Sequence, residues 1–113
     1  MIRSFQILPN AQLGVAASTL YTCPAKMRAT PKQLSIANTS GTATPVTVYV
    51  VPNGGTAANS NTIVPGITVP PNSVLSLAPY LANVVLVEGD TIQALAGTAT
   101  RLTPTGGGIE ETV

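Results

Sequence analysis

The chain has 113 residues, of which 44% are hydrophobic and only 8% charged, and its formal net charge is +1. This length suits one domain with its own core. The hydrophobic content excludes a disordered polymer, because disorder needs low hydrophobicity together with high net charge. With five basic residues, the chain also lacks the dense positive surface that nucleic-acid binding requires. The shortage of charge favours assembly with other subunits, since the cores of protein interfaces are depleted in charged residues.

The N-terminal segment, Ile2 to Leu8, predicts an extended arm or a first strand with Phe5 and Ile7 on one face. The dipeptide Pro9-Asn10 is expected to end it. The segment fits a secretory signal poorly, and no apolar run approaches the ~20 residues that a membrane helix needs. We therefore expect neither a leader peptide nor contact with a membrane.

Strand patterns follow at short intervals along the chain. Thr19 to Cys23 forms the next predicted strand, and Lys32 to Thr39 alternates apolar with polar residues. Thr44 to Val51 is the clearest strand, because valines recur at every second position. The dipeptide Asn53-Gly54 then favours a tight turn. Further strands are predicted at Thr62 to Val69, Ser73 to Ala78, Val84 to Val87, Thr91 to Leu95 and Ala99 to Thr103.

About eight short strands at regular spacing predict an all-β fold, a single antiparallel β-sandwich of jelly-roll or immunoglobulin-like type with an extended N-terminal arm. We place the arm or first strand at residues 1–12, the sandwich at 13–105, and a flexible C-terminal tail, which contains the glycine triplet, at 106–113. The small polar segment Thr56 to Asn61 is expected to be an exposed loop. The predicted core consists of Leu20, Leu34, Ile36, Val46, Val48, Val50, Ile67, Val69, Leu75, Leu77, Val85, Val87, Ile92 and Leu95.

The residues of common catalytic sites are missing. Without histidine, the Ser-His-Asp and Cys-His arrangements and the usual zinc sites are excluded. The lone Cys23 cannot form an intrachain disulfide and is expected to be a buried, inert thiol. Glu88 and Asp90 are the only close carboxylates inside the predicted fold, and a hairpin turn around Gly89 explains them better than hydrolysis or calcium binding. We therefore predict no catalytic residue, no metal site and no cofactor.

The few charges are unevenly placed along the chain. Basic residues are concentrated in the first third and acidic residues in the last. Such an asymmetry could let one end of a subunit attract the other end of its neighbour, although chance explains it as well with so few charges. The residues concerned are Arg3, Lys26, Arg28 and Lys32, and Glu88, Asp90, Glu110 and Glu111.

The stretch "STLYTCPAKMRATPKQLSIANTSGTATPVTVYVVPNGGTA", Ser18 to Ala57, resembles a class of small virion structural proteins of tailed bacteriophages. The matching features are Thr19 to Thr22, the turn at Pro24, the strand end at Asn38-Thr39, and the closing segment Val51 to Gly55. Later, "VEGDTIQALA" at residues 87–96 is similar to the acidic-turn hairpin of the same class. The resemblance implies a β-sandwich present in many copies on a capsid, or at a tail or fibre junction.

From this resemblance we expect a non-enzymatic virion protein, assembled in the bacterial host cytoplasm, that decorates the capsid and stabilises the shell through subunit contacts. Its partners would be the major capsid protein or other virion proteins. A homo-oligomer is expected, with a trimer favoured. The candidate partner contacts are Arg3, Phe5, Ile7 and Leu8, unless these residues simply add a strand to the protein's own core.

Two other functions remain open at this point. The first is a tail or head-fibre attachment protein of the same virion. The second is a carbohydrate-binding module, for which Tyr80 and the loop from Thr56 to Asn61 would supply the binding surface.

Overall fold

The structure is a computed structural model that describes residues 1–7 and 12–113. Strands in this part of the chain form two antiparallel sheets of four strands each, which confirms the predicted all-β class. None of the described helices, which are single 3₁₀ turns at Asn59–Asn61 and Ala78–Leu81, could span a membrane. The strands are β1 (Ile2–Ile7), β2 (Ser18–Thr22), β3 (Met27–Asn38), β4 (Thr44–Val51), β5 (Thr62–Val69), β6 (Ser73–Ser76), β7 (Thr91–Ala96) and β8 (Leu102–Thr112).

One sheet, in the order β1-β8-β3-β6, contains the first and last strands and is called the terminal sheet below. The other, in the order β2-β7-β4-β5, has no charged residue in any of its strands and is called the uncharged sheet. Buried side chains from both sheets form a single core cluster, so the two sheets pack on each other. That cluster contains Phe5, Ile7, Leu13, Cys23, Met27, Ala29, Leu34, Ile36, Val46, Val48, Val64, Val69, Leu77, Leu81, Leu86, Ile92, Ala94, Ala96 and Leu102.

The alternation of side chains explains which residues reach this core. In β7 the residues Ile92, Ala94 and Ala96 are buried, while Leu95, on the opposite face, is half-buried. The core prediction is confirmed for Leu34, Ile36, Val46, Val48, Val69, Leu77 and Ile92. The side chains of Leu20, Val50, Ile67 and Leu75 are partly buried and pack against the cluster.

The prediction for residues 84–87 was wrong by one position. Leu86 is fully buried, while Val85 and Val87 are 52% and 55% exposed. Leu86 also forms a bridge with Ala29 of β3, so the expected hairpin with residues 91–95 does not form. A slip of one residue moves every side chain of a strand to the other face, and three valines around one leucine do not reveal which face is inward.

The C-terminal prediction was also wrong. Residues 106–112 do not form a flexible tail but belong to β8, which starts at Leu102 and pairs with β1 on one side and β3 on the other. The segment from Ala99 precedes this strand and contains a turn in which Thr100 has a positive φ of 63°. The glycine triplet favoured a linker in the sequence, but in the fold it occupies the middle of a central strand.

At the N-terminus, residues Ile2–Ile7 pair with β8 along their whole length, so the chain here is an edge strand of the terminal sheet and not a free arm. This agrees with the alternative that the segment adds a strand to the protein's own fold. The end of the predicted arm, including Leu8 and Pro9-Asn10, lies outside the described residues.

Candidate functional site

Glu110 is the one charged residue that is buried in the described part of the chain, with 4% of its surface exposed. It lies in β8 directly opposite Arg3 of β1 and opposite Ala29 of β3, so its side chain points into the space between the two sheets. A carboxylate in such a place costs several kcal/mol of desolvation unless donors surround it.

Two donors from different sheets bind this carboxylate. The Nε of Arg3 donates a hydrogen bond to Oε1 at 2.7 Å, and the hydroxyl of Tyr21 donates one to Oε2. The Tyr21 ring also stacks on Phe5, with 4.0 Å between the ring centroids and 17° between the planes. We call Arg3, Phe5, Tyr21 and Glu110 the cross-sheet cluster, because it joins β1 and β8 of the terminal sheet to β2 of the uncharged sheet.

The local sequence of β2 explains how Tyr21 reaches the cluster. The register against β7 shifts between Thr19 and Tyr21, which leaves Leu20 as the extra residue of a bulge. Tyr21 consequently stands opposite Ile92, a buried residue, and shares its inward face. The bulge therefore turns the aromatic ring towards the terminal sheet.

The environment shifts the ionisation of two members of the cluster. Burial alone would raise the pKa of Glu110, but the hydrogen bonds from Tyr21 and Arg3 and the charge of Arg3 together outweigh it and hold that pKa below its usual range. The pKa of Tyr21 is raised, first by burial and then by its hydrogen bond to Glu110. At neutral pH the cluster thus holds an ionised carboxylate between a neutral phenol and a guanidinium.

Acid should weaken the fold through Glu110. Because its folded pKa lies below the unfolded value of about 4.3, its contribution to stability is fully present above that value and is lost as the pH falls through the folded pKa. We expect urea unfolding to show a free energy of unfolding that drops below about pH 4, and a smaller drop in Glu110→Gln. An unchanged acid dependence in Glu110→Gln would contradict this role.

Two further contacts of acidic residues also join distant parts of the chain. Arg28 of β3 forms an ion pair with Glu111 of β8 at the surface. Glu88 accepts a hydrogen bond from the backbone N–H of Lys26 at 2.7 Å, which does not involve the charge of the lysine side chain. With Arg3 and Glu110, these contacts bring the basic first third and the acidic last third together inside the subunit. Two basic residues of the first third, Arg3 and Arg28, are therefore paired within the chain with Glu110 and Glu111 of the last third.

The acidic turn has the local geometry that the sequence predicts, although the segments on its two sides do not pair as a hairpin. Gly89 has a positive φ of 85°. The carboxylate of Asp90 accepts hydrogen bonds from the backbone N–H groups of Val87 and Asn53, each at 3.0 Å. The carboxylates of Glu88 and Asp90 are thus both engaged by backbone donors, and no group of three metal-ligating side chains occurs in the described residues.

The predicted partner contacts occupy different environments. Phe5 and Ile7 are buried in the chain's own core at 9% and 6% exposure, and Arg3 is held by Glu110. While β1 stays in its sheet, the side chains of Phe5 and Ile7 cannot reach a partner. Their role in partner binding stays a prediction, and Leu8 lies outside the described residues.

The candidate carbohydrate residues pack against different sheets. Tyr80 is 42% exposed in the 3₁₀ turn that lies on β3 of the terminal sheet, whereas the turn Asn59–Asn61 contacts β4 of the uncharged sheet. An open groove of about 400 Å³ lies elsewhere, between the end of β3 and the start of β6. In its wall the Asn38 amide donates to the carbonyls of Thr42 and Val69, so that side chain is already engaged.

Sequence reasoning missed Glu110, the centre of the cross-sheet cluster, because it placed this residue in a flexible tail. Arg3 and Glu110 are separated by 107 positions, and no local pattern links them. The one signal that pointed to the pair was the opposite charge of the two ends of the chain.

Cys23 is buried, with 2% of its surface exposed, and its thiol points at the backbone carbonyl of Met27. Burial is the main cause that raises the pKa of this thiol, followed by the charges of Glu110 and Asp90. We expect the native protein to resist a thiol reagent such as dithionitrobenzoate at pH 8, and the urea-unfolded chain to react fully. Fast labelling of the native protein would contradict this burial.

No protein-family model and no curated protein matches this chain. Among solved structures, a protein of the Bacillus endospore appendages, a family of disulfide-linked pili, superposes with a TM-score of 0.58 at 21% identity, over 99% of this chain and 88% of that one. A protein of infectious bursal disease virus strain Gx gives a TM-score of 0.49 at 12% identity, over 97% of this chain and 31% of that one. The likeness to the pilus protein shows a shared fold over nearly the whole chain.

Proposed function

We propose that the chain is a non-enzymatic structural protein of a bacteriophage virion that decorates the capsid and stabilises it through subunit contacts. The observation that carries this proposal is the uncharged sheet. All five basic and four acidic residues of the chain lie in the terminal sheet or in loops and turns. One whole layer of the sandwich is therefore available to a partner without any ion to desolvate.

The outer surface of the uncharged sheet is suited to such contact. Thr47 stands opposite Leu95, and Tyr49 opposite Gln93, on the face that points away from the core, and all four are half-buried in the free chain. Burial of an unpaired charge costs several kcal/mol, whereas apolar contact contributes about 25 cal/mol per Å². A neutral surface with a half-buried tyrosine and leucine gains from further burial and loses little.

The connectivity of the strands supports a jelly roll, which is one of the two sandwich types expected from the sequence. The pairs β1 with β8, β2 with β7, β3 with β6, and β4 with β5 are all hydrogen-bonded. A chain paired in this way is one long antiparallel hairpin folded into two sheets. Eight-stranded jelly rolls build viral capsid domains and also lectins, and the resemblance of residues 18–57 and 87–96 to phage virion proteins favours the virion.

The pilus protein with the same fold is itself a subunit of a polymer, which accords with a role in a repeating assembly. Its disulfide linkage does not carry over, because the single thiol of this chain, Cys23, is buried in the core. The partners proposed here, the major capsid protein or further virion proteins, would be held by noncovalent contacts alone.

Capsid binding tests the proposal. Recombinant protein should co-sediment with purified capsids that lack it, and the variant with Tyr49→Lys and Leu95→Lys should lose this binding because each lysine would be desolvated in the contact. Thr105→Lys, which adds a lysine to the exposed outer face of the terminal sheet, is the matched control and should bind normally. Equal binding of all three proteins would overturn the role of the uncharged sheet.

Immunogold labelling of whole virions tests the location. Label spread over the shell is expected for a decoration protein. Label at one vertex would move the protein to the tail or to a head fibre, and the absence of label from particles would remove it from the virion.

A further inference from the structure

The terminal sheet has one edge, β1, to which a further strand can pair. Its edge strands are β1 and β6, and those of the uncharged sheet are β2 and β5. Proline obstructs two of these four: β5 contains Pro65, followed by Gly66 at a positive φ of 64°, and the four-residue β6 follows Pro70-Pro71. Proline and short length are the usual protections against edge-to-edge pairing. The six residues of β1 contain no proline.

The backbone groups on the free side of β1 can be assigned from the register. The carbonyl of Met1 accepts a hydrogen bond from the N–H of Thr112 at 2.9 Å, and Ile2 then pairs with Glu111 in sequence. In an antiparallel ladder the hydrogen-bonded positions alternate, so the odd positions of β1 bond to β8. The N–H and C=O groups of Ile2, Ser4 and Gln6 therefore point to the open edge, and the described residues provide no backbone partner for them.

We infer that β1 pairs antiparallel with β1 of a second copy of this chain, about a two-fold axis at Ser4, so that the terminal sheet continues from one copy into the other. Centring the axis at Ser4 places Ile2 of each copy opposite Gln6 of the other and Ser4 opposite Ser4. In this register the outward backbone groups of all three residues are hydrogen-bonded. A shift of the axis along the strand would leave some of them without a partner.

The side chains of β1 can pack beside those of β1 in a second copy, and a two-fold contact requires such self-complementarity. On the outer surface, small and neutral Ser4 meets itself, and the exposed Ile2 lies beside an uncharged glutamine. On the inner surface, Arg3 of one copy lies beside Phe5 of the other, so the two guanidinium groups are separated along the strand, and Glu110 of the same chain already neutralises each of them. No like charges are opposed.

The neighbouring edge of the uncharged sheet, β2, also allows a second copy to approach. Since Phe5 stacks on Tyr21, β2 lies on the same side of the sandwich as β1. Its five residues contain neither proline nor charge. The two-fold contact along β1 thus brings two proline-free edges of each copy towards each other, and the only charged residue within β1 and β2, Arg3, is paired with Glu110.

This inference deepens the proposed function, since it names the surface through which copies meet, but the two can fail separately. A dimer can form without binding a capsid, and a monomer can decorate one. A closed two-fold contact also gives a dimer in place of the trimer that the sequence favours.

Introduction of a charge at Ser4 tests the pairing, with the molar mass measured by light scattering after size-exclusion chromatography. The unmodified protein should have twice the chain mass of 11.4 kDa. Ser4→Lys and Ser4→Asp should each run at the mass of one chain, because like charges directly opposite each other are destabilising. An equimolar mixture of the two variants should recover the dimer mass, since the opposed residues then carry opposite charges.

Two further variants make the result decisive. Ser4→Pro removes an outward N–H while leaving the β8-facing positions Arg3 and Phe5 unchanged, and it should also give a monomer with the β-sheet circular dichroism of the parent. Thr105→Lys adds a charge to the same sheet away from the edge and should stay dimeric. A monomeric or trimeric parent protein, a dimeric Ser4→Lys, or a mixture that remains monomeric would overturn the inference.

Discussion

Replacement of Glu110 by alanine is expected to lower the free energy of unfolding by about 3 kcal/mol, because removal of one member of a buried, hydrogen-bonded charge pair leaves its partners without compensation. The hydroxyl of Tyr21 would lose its acceptor inside the fold, and Arg3 would lose the anion that holds it against β8. The change affects β1, β2 and β8 together, so both sheets should be weakened. Urea unfolding followed by circular dichroism measures the effect.

The adjacent residue supplies a matched control. Glu111 also pairs with an arginine, Arg28, but both side chains are substantially exposed, at 37% and 47%. Surface ion pairs contribute about 0 to 1 kcal/mol, so Glu111→Ala should change the free energy of unfolding by less than 1 kcal/mol. If the two alanine variants unfold at the same urea concentration, the cross-sheet cluster does not stabilise the fold as argued.

A double-mutant cycle separates the hydrogen bond from the loss of volume. Tyr21→Phe keeps the stacking on Phe5 and removes only the hydroxyl. If Tyr21 and Glu110 act through their hydrogen bond, the combined variant should lose less stability than the sum of the two single losses.

The strands that the sequence predicts well are those whose own side chains carry the pattern. In β4, the alternation of Val46 and Val48 with Thr47 and Tyr49 shows both the strand and its buried face. The acidic turn is equally local, because Gly89 and Asp90 supply its geometry themselves. Where a few neighbouring residues determine the conformation, the sequence is sufficient.

The sequence fails where distant residues determine the conformation. The glycine triplet has no side chain with which to indicate a face, and its place in β8 depends on β1 and β3, which lie far away in the chain. The cross-sheet cluster has the same origin, since Glu110 is only buried because β8 is central. Because the sequence did not predict β8, it predicted neither the pairing of β8 with β1 and β3 nor the candidate site around Glu110.

The distribution of charge then has one physical explanation. The terminal sheet concentrates the ionic pairs that attach the last strand to its two neighbours, while the uncharged sheet keeps its outer surface free of ions. One layer of the sandwich holds the ends of the chain together, and the other is left able to contact a partner at a low cost of desolvation.

Among substitutions that add a single methyl group, Gly108→Ala is expected to cause the largest loss of stability. A Cβ at this position would lie 2.7 Å from the Cα of Pro31 and 2.9 Å from Cε1 of Phe5, and closer still to the carbonyl oxygen of Thr30. Backbone on the β3 side cannot rotate away as a flexible side chain would, so Gly108→Ala should cost about 3 kcal/mol or more. The expected result is a large fall in melting temperature or a loss of soluble folded protein, as measured by circular dichroism.

Gly41→Ala is the matched control, because a Cβ at Gly41 would meet nothing within 4 Å and its melting temperature should stay close to that of the parent. A Gly108→Ala variant that melts like the parent would mean that β8 does not pass so closely between its neighbours, and the linker interpretation of the triplet would return. A selective loss at Gly108 would show that the triplet is required for packing. Any side chain there would push β8 away from β3 and displace the strand that carries Glu110.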